Sequence, residues 1–347
     1  MRYHQHTGYN FDAFSKHSAR QQSQLAQVIK GVGLMQWCAT FLAVAIVESA
    51  VPAASQPSET NQADITVRLG ETVVMNINDQ PLRFRMAPEA ISVPTMNSEA
   101  AQRINLKPSM IYYIYVIGPT KIAFRTDTVK YDRNGAAFKS RTAFSDRQVV
   151  VGADGVAGPA TFPFRRTIFT LRDLRPGDRA ITLPLDKDMG RSQTGVKIVV
   201  DGRPLYAAFS FDRADSLVTA TGGQWIADAN GGRFEGDARE APILYGISRP
   251  IRSLRLQRPL MLGELEIRNL AVRVSDIGSA KGIADETAPE QDPSEIVVTA
   301  DNKRKVPNQR LYIGMDTIGH CASITYDFKA NTVTLMCPDQ PRVAREN

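Results

Sequence analysis

Two short segments of this chain answer each other: Asn78-Asp79-Gln80-Pro81-Leu82 and Asp201-Gly202-Arg203-Pro204-Leu205. Each lies between apolar stretches, and an Asp-Gly pair in that setting marks a two-residue hairpin whose central residues take positive φ. The second hairpin joins Lys197–Val200 to Leu205–Phe211. It delivers Asp212 into a tight turn, Asp212-Arg213-Ala214-Asp215-Ser216. A second echo follows each hairpin: Asp154-Gly155-Val156-Ala157-Gly158-Pro159 against Leu311-Tyr312-Ile313-Gly314-Met315-Asp316. Landmarks in the same order twice predict an internal repeat of about 130 residues.

Between the landmarks the text alternates apolar and polar residues, as half-buried strands do. Met110–Ile117, Lys121–Tyr131, Thr167–Arg172, Pro259–Leu262 and Glu264–Val274 read as strands. Helices are few. Asn97–Leu106 is one, with Asn97 or Ser98 placed to cap it, and Gly223–Ala229 is another. The chain is therefore mainly β, and its 347 residues are enough for two cores.

The first 55 residues stand apart. Gly31–Val47 carries no charge, follows Lys16, Arg20 and Lys30, and leads into the small residues before Ser55. That is the layout of a signal peptide, with a retained membrane tether as the alternative. The expected location is outside the cytosol, in a bacterial periplasm or anchored at the inner membrane.

Export reduces the chemical inventory. Cys38 leaves with the leader, so Cys321 and Cys337 remain as a candidate disulfide. In the closing hairpin the apolar residues match best as Ile324 with Leu335 and Tyr326 with Val333. This sets Cys321 opposite Pro338, so the bridge needs a local departure from the ladder. His320 is the one histidine beyond the leader. It cannot build a histidine-rich zinc site, and no metal or other cofactor is expected. If the mature chain is a hydrolase, carboxylates must act.

The hairpin, turn and Gly-Met-Asp strand end resemble the retropepsin-like aspartic proteases, over about Ile65–Arg172 and again over Lys197–Leu335. The resemblance implies two tandem lobes facing one another across a cleft: 64–190, then 191–340 with an inserted loop at 278–309. It also implies a catalytic role for Asp212, in a cleft turn built from Arg213, Ala214, Ser216, Gly314 and Asp316. Arg213 and Ala214 stand where the family has Thr and Gly. In the first lobe Ala87 stands at the position of the acid, with Glu89 two residues further and out of reach. Since the family mechanism shares one proton between two carboxylates, the expectation is a degenerate protease that binds extended peptide or protein segments. An active endopeptidase using Asp212, restored by dimerisation, is the alternative.

Two further features complete the reading. Arg249, Arg252, Arg255 and Arg258 recur every third residue. In a strand that period alternates faces, so a solvated set is expected, and no nucleic-acid partner. The insert is polar, and its Glu295–Ala300 segment (EIVVTA) resembles a TonB box, a strand-adding segment for a TonB-type partner. A third function follows from it, an envelope interaction protein that works through 278–309.

Overall fold

A computed structural model describes residues 63–189, 193–274, 278–285 and 309–339. The leader with its apolar segment, the Glu295–Ala300 segment and most of the insert lie outside them. Among the described residues, twenty-one strands and three helices make a mainly β architecture. The strands of the first half are β1 (Ile65–Arg68), β2 (Thr72–Ile77), β3 (Gln80–Met86), β4 (Thr95–Met96), β5 (Tyr112–Ile117), β6 (Thr120–Arg133), β7 (Ala136–Phe144), β8 (Gly155–Ala157) and β9 (Arg166–Thr170). Helix α1 (Ser98–Arg103) follows β4.

The second half holds β10 (Asp178–Pro184), β11 (Asp186–Met189), β12 (Gln193–Val200), β13 (Arg203–Phe209), β14 (Leu217–Val218) and helix α2 (Ala220–Asn230). Then come β15 (Gly232–Leu244), β16 (Ile247–Leu262), β17 (Leu265–Arg273), β18 (Ala284–Asp285), β19 (Arg310–Ile313), α3 (Met315–Ile318), β20 (Ser323–Asp327) and β21 (Thr332–Pro338).

One sheet has the order β2-β3-β8-β4-β7-β6-β5, and a further β2–β6 pairing closes six of these strands into a barrel. Another reads β11-β12-β13-β19-β14-β17-β16-β15-β18. With its outer β11 and β18 set aside, it has the strand order of the first sheet. The directions agree too: β3 with β8 and β13 with β19 are parallel, as are β4 with β7 and β14 with β17. The third sheet, β1-β9-β20-β21-β10, draws strands from both halves.

Both hairpin turns form as expected, with positive φ at Asn78, Asp79, Asp201 and Gly202. Alternation places Val73, Met75, Ile77, Leu82, Phe84 and Met86 in the barrel core. The long strands depart from it informatively. In β6 the buried apolar residues are Ile122 and Phe124, then Val129 and Tyr131; in β16 they are Ile247 and Ile251, then Leu254, Leu256, Leu260 and Leu262. The phase changes because each strand serves two cores. Val129, Tyr131, Leu254 and Leu256 belong to the main core, whereas Ile122, Phe124, Ile247 and Ile251 belong to a second cluster shared by the two halves. There the β5–β6 hairpin meets the β15–β16 hairpin: Tyr245 packs against Tyr115 and Phe124 at ring-centroid distances of 5.6 and 5.0 Å.

Several local expectations change. Asn97 flanks α1 without capping it; its amide donates to the carbonyls of Val150 and Ala153 and accepts from Val149 N, tying down a loop instead. Helix α2 is longer than expected and ends on Gly231, whose φ of 69° is the left-handed geometry that glycine supplies at a helix end. The β16 arginines are not a uniformly solvated row. Arg252 pairs with Asp285 and Arg255 with Glu235, while half-buried Arg249 donates to Ile117 O at 2.8 Å and Thr120 Oγ1 at 2.6 Å on the opposite hairpin. Cys321 and Cys337 are joined. The closing hairpin has the expected register, and β20 begins only at Ser323. Cys321 therefore lies off the ladder, free of the constraint that set it opposite Pro338.

Candidate functional site

Strand registers define which residues of the two halves correspond. Phe84 pairs with Gly155 and Met86 with Ala157; Ala207 pairs with Leu311 and Phe209 with Ile313. Beyond the strands, Ala87 N donates to Ala157 O at 2.9 Å, and Ser210 N to Ile313 O at 2.8 Å. Ala87 therefore corresponds to Ser210, and Glu89 to Asp212. This corrects the sequence reading, which set Ala87 against Asp212 and Glu89 out of reach. A slip of two residues keeps every strand side chain on its own face, so alternation cannot detect it. The available signal was strand length: Glu89 and Asp212 stand equally far from Pro81 and Pro204.

The two acids have different surroundings. Asp212 is exposed, and its carboxylate accepts from Arg85 Nη2 at 2.6 Å, an ion pair between the halves. Glu89 is 6% exposed, and its Oε2 has no hydrogen-bond partner among the described residues. Burial, helped by the negative charge of Asp212, pushes the Glu89 carboxyl up to about 7. The Glu89 backbone N–H and the Arg213 charge oppose this. So does the Ser210 hydroxyl, which lies near but makes no well-formed hydrogen bond.

Arg213 turns inward. Its guanidinium donates to the carbonyls of Pro242 and Ile243 and lies 4.9 Å from the centre of the Tyr312 ring, while its Nε is buried without a partner among the described residues. Burial lowers its pKa. The rest of the turn is a brace. Met315 N donates to Arg213 O, and Asp316 N to Ala214 O, both at 2.8 Å. Ser216 Oγ donates to Asp316 Oδ1 at 2.8 Å and accepts from Gly314 N at 3.0 Å. The structure thus brings Arg213, Ala214, Ser216, Gly314 and Asp316 together.

A Cβ on Gly314 would lie 2.6 Å from the Asp215 carbonyl carbon and oxygen and 2.9 Å from Ser216 N. Backbone cannot yield as a side-chain tip can. Gly314→Ala should therefore cost about 1–3 kcal/mol of stability by chemical denaturation.

A cavity of about 170 Å3 lies between the halves, lined by Glu89 and Tyr115 on one side and Arg213, Arg273, Arg310 and Tyr312 on the other. Val116, Ile117, Ile243 and Leu244, from the two hairpins, also line it. Asp212 does not. Peptide hydrolysis by paired acids needs two carboxylates that share a proton and hold water between them. Here one carboxylate is bonded to a guanidinium, and the other is buried beside arginines. His320 lies against Cys321 and Cys337, but sulfurs joined in a disulfide are not thiolates able to hold a metal.

No family model matches this chain, and no curated protein matches it. Among solved structures, the EIAV protease complexed with the inhibitor HBY-793 is similar over 25% of this chain and 79% of that one, at 18% identity and a TM-score of 0.18. What is established for this chain is accordingly its own architecture: a mainly β protein with a closed six-stranded barrel and a cavity between its two halves.

Proposed function

We propose that this protein is a two-lobed, retropepsin-like protein that does not cut peptide bonds and binds extended peptide or protein segments in the crease between its lobes. The observation that carries the reading is the Arg85–Asp212 ion pair. A carboxylate engaged by a guanidinium does not share a proton with a second acid, so the turns keep their geometry without the family chemistry. The matching strand orders of the two large sheets support descent of both lobes from one unit. The reading includes export, and the Cys321–Cys337 bond is compatible with an oxidising compartment.

Segment binding requires the β5–β6 and β15–β16 hairpins to part, because Tyr115, Phe124 and Tyr245 fill the space between them. The test is incubation with an unfolded protein from about pH 3 to pH 8, together with fluorescence anisotropy on labelled extended peptides. Expected are no cleavage, peptide binding that survives Asp212→Asn, and tighter binding when Arg249→Ala removes the clasp on Ile117 and Thr120. Cleavage that disappears in Asp212→Asn would overturn the reading, as would failure to bind any extended peptide.

A further inference from the structure

We propose that the cavity between the lobes is a binding site for a small carboxylate with a compact apolar body, held between Arg213 and Glu89. Its volume of about 170 Å3 admits a molecule near the size of benzene, which a cavity of about 150 Å3 accommodates. With the two hairpins together, that is too little for an extended chain. The walls match an apolar body, with Tyr115 and Tyr312 as flat surfaces and Ile117 and Ile243 between them.

The polar groups match a carboxylate. Among the described residues, Arg213 Nε is a buried donor without a partner, and Glu89 Oε2 is a buried carboxyl oxygen without one. Leaving such groups unpaired costs their full desolvation penalty. The two side chains influence each other electrostatically, yet no hydrogen bond joins them. One oxygen of a bound carboxylate accepts from Arg213 Nε, and the other accepts from the protonated Glu89. Both orphans are then satisfied, and the anion offsets a charge that burial disfavours on Arg213. Arg273 and Arg310 line the same wall, where Glu89 is the sole acid among the described lining residues. A neutral ligand could bridge the two orphans but gains nothing from the charge of Arg213.

A pH dependence follows. Glu89 is faced by Asp212 and Arg213 from the turn after β13, by Tyr245 from the hairpin tip and by Tyr326 of β20. Burial holds both tyrosines protonated. Glu89 is the group that loses its proton near neutrality, and with it the donor to the ligand.

The experiment is calorimetric titration of the full chain with benzoate and with benzamide, its uncharged counterpart. Benzoate should bind at least about ten-fold more tightly than benzamide, and its affinity should fall as pH rises from about 5.5 to about 8. Arg213→Met should weaken benzoate about ten-fold. Glu89→Gln, whose amide still donates, should keep binding and abolish the pH dependence. Equal affinity for the two probes overturns the proposal, as does benzoate affinity in the wild type that is indifferent to pH; neither outcome depends on a variant folding. Stronger displacement of benzoate by a peptide with a free C-terminus than by its amidated form would overturn the small-molecule assignment. The site is that of the proposed function, but the two readings separate: benzoate bound without any extended peptide bound overturns segment binding alone.

Discussion

Replacing Glu89 with Gln should remove a loss of stability of up to about 3 kcal/mol that the wild-type protein suffers as pH rises from about 4.5 to above 7. The sign follows from the direction of the shift. Burial raises the folded-state pKa of this carboxyl from 4.5 to about 7, so the folded protein holds a proton that the unfolded chain has released. The associated stability is complete below the unfolded value and is lost as pH climbs through the folded one. His320 acts oppositely in an overlapping window. Partial burial lowers its pKa, so its contribution is present above the ordinary histidine value and lost as pH falls through the folded one. Urea midpoints for wild type and Glu89→Gln at about pH 4 and about pH 8 cancel the histidine and isolate Glu89. Parallel curves for the two proteins would mean that Glu89 is not buried beside Asp212.

Removing the disulfide with the double variant Cys321→Ala, Cys337→Ala should cost about 3 kcal/mol. The bridge closes a loop with a sequence separation of 16. The hairpin it spans forms the β20–β21 part of the sheet that joins both halves: β20 pairs with β9, and β21 with β10. Loosening that hairpin therefore weakens the joint between the halves as well as its own loop. Denaturation of wild type with and without reductant gives the same quantity independently. Equal midpoints would show that the sheet holds the hairpin without help.

Much of the framework was legible in the residues. Asn-Asp and Asp-Gly between apolar strands announce two-residue turns, because few other pairs accept positive φ twice. Pairing Ile324 with Leu335 and Tyr326 with Val333 follows from alternation, and the observed register is that one. The Asp212 turn was legible in composition but not in correspondence, since a two-residue shift leaves every strand face unchanged. Arg249 read as one of four equal arginines; its clasp on Ile117 and Thr120 exists only because a second hairpin arrives there.

The mainly β class, the turn positions and the cysteine pair could be read from the residues alone, because these depend on residues near one another along the chain or on a period that any window reveals. Only the tertiary structure decided that β6 and β16 bury opposite faces along their lengths, that Arg85 engages Asp212, and that Glu89 is enclosed rather than out of reach. Each of these depends on which distant surface comes to rest against a given side chain. A carboxylate meeting a guanidinium is a different chemical group from one meeting a second carboxylate, and no local pattern distinguishes the two.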